Sequence, residues 1–594
     1  YPQHFGEVLV YGPVGRWGSI GAGIIAALLV AALLHERLRR HVPLFAPLLV
    51  VAAAAHVGPV MLPEDLAGEL RSLLEVRGER GFAIAGTAYA VLATGGLMML
   101  CAARPLGRLR GAGVRRMAHG SSRLATDEER RAAGFYAGRG ILLGQTGRGR
   151  RLWDASENHV LVALPPGGGK TSGPLIGTLL TNPQARAIVL DPKGEIWRAT
   201  AGYRTQEGNQ CIRYQPLEPG SLSWNPLAAL ARTQTVVRDV GVLATNLIPS
   251  PPGEASHWTA KARTLFTGMT LHLLFIKEEP SLADVRNFLT AGAGAGGFDA
   301  LLLEMASTEH DPRGEFGWRD PITGAPTRTH PEVRRIALGM HGTDQRERSG
   351  IVSTTTEHLE LWGDPIVDQN TQAAEIELAR IFEGPTPMTL YVTLPEGRLE
   401  YTAPLLRILF ASFLNEVTGR EDRVQAGGEP IYLLIDEFPA LGHLKIFEGI
   451  LAVLRGYGVR CLIVVQNLRQ LIRVYGPHQT ISANCQTLIA GATQEHETRE
   501  HISRLLGTAT VEFTSRTHSG GLLSAKASRS RPILGRRLFT PEEVGLLAPE
   551  EHLVVRAHCH PVLARRLPYF EDRELRRRAA IPPPAPRWGE GATL

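Results

Sequence analysis

Apolar residues are distributed in two ways along this chain, and the pattern changes near residue 104. Upstream lie three long runs without a charged residue, at 18–34, 43–62 and 82–103. About 17–25 apolar residues suffice for a helix to cross a bilayer core, and a charge placed mid-span costs about 2.5–3.5 kcal/mol. The runs therefore predict three transmembrane helices, with a buried core helix as the other reading. That second reading is most open for 43–62, which carries His56 and prolines. Downstream, apolar residues instead come in short aliphatic and β-branched bursts: Asn158–Leu164, Ala187–Asp191, Leu390–Leu394, Ile431–Ile435 and Cys461–Val465. Bursts of four to eight such residues between turn signals read as buried parallel strands, and the stretches between them are long enough for helices. The downstream part is thus predicted to be α/β.

Charge orients the upstream part. His35–His41 holds three arginines, the loop from Pro63 to Gly81 holds five acids against three arginines, and arginines 104, 108, 110, 115, 116 and 123 follow the third run. The positive-inside rule places 63–81 outside and everything after 103 in the cytoplasm. At 594 residues the chain exceeds what one core supports. Its net charge of +6 is compatible with nucleic acid without requiring it. Five cysteines with no Cys-x-x-Cys spacing argue against a zinc ribbon or a disulfide scaffold.

Candidate chemistry sits at the ends of the bursts. The first enters Pro165-Pro166-Gly167-Gly168-Gly169-Lys170-Thr171, and apolar spacing over Thr171–Leu180 predicts a helix after it. Strand, glycine turn and helix are the setting of a P-loop. The amides of Gly167 to Thr171 can cradle phosphates, Lys170 can reach the β- and γ-phosphates, and Thr171 can offer its hydroxyl to Mg2+. A strict P-loop has glycine where Leu164 stands, and alone the turn is also that of an ordinary loop. Asp436 and Glu437 end another burst, as the magnesium-linked and water-activating acids of a P-loop ATPase do. Gln466 ends a third, where an amide can sense phosphate or position water. Separate strands delivering chemistry at their carboxyl ends are how open α/β sheets build sites. Asp191, before Pro192-Lys193-Gly194-Glu195, reads either as a neighbour of the nucleotide or as a turn and helix cap.

Several blocks in order then resemble the conjugative coupling proteins of the TraG/TraD type, the ATPases of type IV secretion systems. They are His119-Gly-Ser-Ser-Arg-Leu-Ala125, Asn158-His-Val-Leu with the lysine turn, Asp191–Glu195 with Thr200-Ala-Gly-Tyr203, and Trp224-Asn-Pro-Leu227. Asp436-Glu-Phe-Pro-Ala-Leu441 with Val464-Val-Gln-Asn467, and Phe539–Glu543 with Tyr569-Phe-Glu-Asp572, complete the series. The resemblance implies a RecA-like P-loop domain interrupted by an all-α domain and preceded by the membrane region. It implies a homo-hexamer at the bacterial inner membrane, with ATP and Mg2+ as ligands. Its partners would be a relaxase bound to single-stranded DNA and the channel components of the secretion system. It also makes Arg455 an arginine finger acting on a neighbouring subunit's nucleotide; by its local sequence Arg455 is equally an exposed helix arginine before Gly456-Tyr-Gly458. The same motor feeding protein effectors to the channel, and an FtsK-like duplex DNA pump, are the alternatives.

These readings divide the chain into a transmembrane region 1–104, a juxtamembrane linker 105–150, the first part of the motor 151–231, an inserted all-α domain 232–384, the second part of the motor 385–580 and a disordered tail 581–594. Ser515–Pro532, rich in Gly, Ser and Arg, reads as a mobile loop; Arg516, Lys526, Arg529 and Arg531 within it can meet a DNA backbone through charge alone. His496-Glu-Thr-Arg-Glu-His501 is not a zinc-protease helix, because histidines five apart do not share a helical face.

Overall fold

The computed structural model describes residues 120–250, 257–291, 297–320, 323–420, 429–512, 515–519, 526–530 and 533–585. The three long apolar runs lie outside the described residues, among which no helix is long and apolar enough to cross a membrane.

One sheet of eleven strands organises the described chain. In chain order the strands are β1 (Ile141–Gln145), β2 (Arg151–Asp154), β3 (Val160–Ala163), β4 (Arg186–Asp191), β5 (Gln210–Tyr214), β6 (Met388–Thr393), β7 (Ile431–Ile435), β8 (Val459–Val465), β9 (Thr487–Gly491), β14 (Glu551–Arg556) and β15 (Val562–Arg565). Strands β10 (Thr508–Glu512), β11 (Ser515–Ser519), β12 (Lys526–Ser530) and β13 (Ile533–Arg537) form two small ribbons outside it, β10 with β13 and β11 with β12. The spatial order is β2-β1-β15-β14-β9-β3-β8-β7-β4-β6-β5. From β9 to β5 every neighbouring pair is parallel. From β2 to β9 every pair is antiparallel.

Five of the seven parallel strands, β3, β4, β6, β7 and β8, are the bursts legible in sequence; β5 and β9 are additions the structure makes. β3, β7 and β8 are buried along their whole length, as strands covered on both faces must be. Alternation along β3 divides two cores: Leu161 and Ala163 face one layer, Val160 and Val162 the other. The second layer holds α1 (Ile176–Thr181) and α2 (Glu195–Gln206). The first holds the helical insertion between β5 and β6: α3 (Val236–Leu247), α4 (His257–Ile276), α5 (Leu282–Ala291), α6 (Gly297–Ser307), α7 (Pro331–His341) and α8 (Gln345–Leu359). It also holds α9 (Leu399–Thr418), α10 (Lys445–Leu454) and α11 (Leu468–Tyr475). No strand lies among the described residues between Tyr214 and Met388.

Four expectations change. The segment 105–150, read as a linker, contains β1, whose pairing with β2 and β15 makes it part of the sheet; its glycine-rich surroundings concealed a strand of which Ile141, Leu142 and Leu143 are fully buried. The helix expected over Thr171–Leu180 opens as a π-helical turn, Thr171–Leu175, with Pro174 inside it, and becomes α-helical only at Ile176. Proline cannot donate its i→i−4 hydrogen bond, so the first turn widens. Ser515–Pro532, read as a mobile loop, contains the antiparallel ribbon of β11 and β12, in register from Ser515↔Ser530 to Ser519↔Lys526. The tail, read as disordered from 581, begins packed on α2: a Cβ on Gly202 would stand 2.3 Å from both Ile581 O and Pro582 O. Only glycine admits that approach. Residues 586–594 lie outside the described residues.

Candidate nucleotide site

Strands β3, β8 and β7 are consecutive in the sheet and parallel, with Ala163 level with Val465 and Ile463 level with Ile435. Their carboxyl ends therefore open on one edge, and the residues that follow them meet there. Gly167 (φ +76°) and Gly169 (φ +77°) adopt left-handed backbone, which glycine takes without strain, and the Gly168 amide closes the turn on Pro165 O at 3.0 Å. The amides that open the following helix precede its first hydrogen bonds, so they are donors awaiting an acceptor.

The side chains expected to act together do meet. Thr171 Oγ1 donates to Asp436 Oδ2 at 2.7 Å. Lys170 Nζ lies 3.4 Å from Glu437 Oε2, and Gln466 Nε2 donates to the same oxygen at 3.2 Å. Glu437 is held at φ +74°, ψ +56°, a left-handed conformation costing a non-glycine residue roughly 1–2 kcal/mol. Gln466 is set by Gln470 on α11, whose Oε1 accepts the Gln466 amide at 2.8 Å.

Asp436 is 9% exposed, and its Oδ1 is buried with no hydrogen-bond partner. Burial pushes its carboxyl up to about 6; the Thr171 hydroxyl and Lys170 oppose that rise, while the charges of Asp191 and Glu437 add to it. An unsatisfied carboxylate oxygen beside a threonine hydroxyl is the donor set of a hard divalent cation. Mg2+ therefore fits here, held by Thr171 and Asp436. Asp191 on β4 is 1% exposed, its carboxyl raised by burial, and its Oδ2 accepts the Trp197 amide at 2.8 Å. It serves as a cap on α2, one of the two roles left open for it.

Arg455 is not brought to this edge. It follows α10, which carries the chain back from the end of β7 to the start of β8, where Val459 pairs with Ile431. Five residues of strand, roughly 15 Å, separate that edge from Asp436. Arg455 is exposed and makes no ion pair with a described residue. It cannot act on the nucleotide of its own chain.

Two contributors had no signal in the local sequence. Gln470 stands four residues beyond Gln466, on an amphipathic helix whose Leu468, Leu471 and Tyr475 are buried. Arg566 comes from the far end of the chain, and its Nη1 reaches Gly167 O at 3.3 Å.

A family described as "Type IV secretory system Conjugative DNA transfer" matches residues 121–584. The conjugal transfer protein TraG of Escherichia coli is 28% identical over 519 residues, covering 78% of this chain and 79% of TraG. Protein VirD4 of Agrobacterium fabrum is 26% identical over 491 residues, covering 79% of this chain and 69% of VirD4. Among solved structures, the plasmid coupling protein TrwB in complex with the ATP analogue ADPNP is similar at a TM-score of 0.54 and 19% identity, covering 75% of this chain and 93% of TrwB. TrwB in complex with ADP and Mg2+ is similar at a TM-score of 0.53. These two likenesses establish the fold.

Proposed function

The chain belongs to the type IV secretory system conjugative DNA transfer family, and from that premise we propose that it is the membrane-anchored ATPase that couples a relaxase–DNA complex to the secretion channel. The observation that carries the ATPase reading is the meeting of Lys170, Thr171, Asp436, Glu437 and Gln466 at one sheet edge. In this reading Lys170 binds the β- and γ-phosphates, exchanging its contact with Glu437 for the triphosphate. Glu437, released from Lys170, takes a proton from the attacking water while Gln466 orients it. Bound at Thr171 and Asp436, Mg2+ would neutralise phosphate charge as it develops.

The arginine-finger reading of Arg455 requires a multimer. From the amino edge of the sheet, any part Arg455 takes in hydrolysis is at another subunit's nucleotide, and a ring closed by head-to-tail interfaces can bring that edge to the next subunit's site. A homo-hexamer anchored by the three apolar runs in the bacterial inner membrane, with the motor in the cytoplasm, is the assembly we propose. Single-stranded DNA and the channel components are its partners.

The test is nucleotide binding and hydrolysis by the purified chain. Lys170→Ala should lose turnover, whereas Glu437→Gln should bind ATP like the wild type and hydrolyse it at least about a hundredfold more slowly. Full hydrolysis by Lys170→Ala would remove the assignment.

A further inference from the structure

Strand β15 is two antiparallel steps from β9, so it runs in the same sense as the parallel strands and its end opens on the nucleotide edge. Arg566 follows immediately. Its backbone is held on both sides: the amide donates to Glu550 O at 2.7 Å, and the carbonyl accepts from Gln145 Nε2 of β1 at 3.2 Å. Three residues later, the Tyr569 amide donates to Ser172 O at 2.9 Å in the first turn after the glycines. The segment is thus clamped along the phosphate turn from outside.

The side chain lies across that turn. Its Cδ is 3.5 Å from where a Cβ on Gly169 would stand, and Nη1 makes one long hydrogen bond to Gly167 O. Nε is buried with no partner, and no carboxylate of a described residue forms an ion pair with the guanidinium. A guanidinium stays charged at any physiological pH and carries five donors in a planar fork. One carbonyl at 3.3 Å leaves most of them unused, and a buried donor without an acceptor is costly. Across the turn, the open helix amides likewise await an anion. A phosphate chain satisfies both sets at once, and paired guanidinium–phosphate bonds are among the strongest hydrogen bonds available.

We infer that Arg566 is a phosphate-binding residue of the nucleotide site, acting in cis from the end of the chain opposite Lys170 and recognising the phosphate chain of a nucleoside di- or triphosphate. The inference rests on the nucleotide reading above and extends it to a residue that no motif marks. The competing role is structural: a prop for the Gly167 carbonyl that never meets the ligand.

The test displaces a fluorescent ADP analogue from the full chain with ADP or ATP in the presence of Mg2+. Arg566→Ala should weaken both about tenfold or more, with less salt dependence than the wild type and no change in the melting temperature without nucleotide. Should that variant melt early, two others decide. Arg566→Lys keeps the charge and should bind within a few-fold of the wild type; Arg566→Gln keeps the stem and a donor for Gly167 but not the charge, and should bind like Arg566→Ala. Equal binding by the Lys and Gln variants overturns the inference, as does wild-type binding by Arg566→Ala. If Lys170→Ala loses binding while the Arg566 variants keep it, only this inference fails. If the wild type binds no nucleotide, both readings fail.

Discussion

Replacing Asp436 by asparagine should make the nucleotide-free protein more stable at neutral pH, although Asp436 is assigned to the centre of the site. Its carboxyl is raised from 3.8 to about 6, chiefly by burial, with Oδ1 facing no donor. A group whose pKa is higher folded than unfolded stabilises the fold most where it is protonated in both states. That contribution is complete below about 4, falls as pH rises through about 6, and is absent above. Two pKa units at about 1.4 kcal/mol each give a penalty of about 3 kcal/mol for ionised Asp436 at pH 7.5. Asparagine never ionises, so Asp436→Asn should melt higher at pH 7.5 by on the order of a few degrees and match the wild type only below about pH 4, where the carboxyl is protonated in both states. Adding ATP with Mg2+ should reverse the order at pH 7.5, because only the carboxylate supplies a charged ligand to the cation. Calorimetry of both proteins at the two pH values, with and without ligand, is the assay. A variant that is less stable than the wild type at pH 7.5 without ligand, or that gains as much from Mg2+ and ATP, would refute the reasoning.

Other outcomes follow from the same geometry. Arg455→Ala chains should hydrolyse ATP poorly alone and recover in mixed assemblies with Glu437→Gln chains, since each supplies what the other lacks; no recovery in the mixture would return Arg455 to a structural role. Arg204 is fully buried and donates to Leu179 O, Asn182 O and Thr389 Oγ1 at 2.8–2.9 Å, and also to Ala185 O. Arg204→Leu should remove a donor from all four, leaving Ala185 O with the Asn209 side chain and Asn182 O with the Ala185 amide, and cost about 1–3 kcal/mol, read as a lower denaturant midpoint, without altering nucleotide affinity per folded molecule. Gln470→Ala should leave ATP affinity intact and lower the hydrolysis rate by about tenfold, because it frees Gln466 rather than removing it; a change in affinity with an unchanged rate would contradict that role.

Five of the seven parallel strands were readable because burial on both faces demands uninterrupted aliphatic sequence; β5, mostly half-buried with Gln210 and Arg213 in it, and β9 were not. The antiparallel extension was not: β1 ends in Gly144 and Gln145, β15 is four residues long, and both borrow their burial from neighbours distant in sequence. Asp436 and Glu437 could be singled out because they directly follow a strand, where a short polar step breaks an apolar run, and Lys170 and Thr171 because they close the glycine turn after another. Gln470 and Arg566 could not, since nothing in a lone glutamine or arginine distinguishes a surface side chain from one aimed at phosphate.

What the chain's own order of residues determined is which strands are central and which side chains stand at their ends, because a strand's burial and its terminating polar residue are local facts. Strand order belonged to the tertiary structure alone. Placing β8 between β3 and β7 brings a lysine, two acids and an amide within hydrogen-bond reach of one another, and running β15 parallel to them lays Arg566 across the turn. The same arrangement sends Arg455 to the far edge. Sequence separation carries no information about such proximity; pairing through backbone hydrogen bonds creates it, and with it the electrostatic environment in which Asp436 resists ionisation.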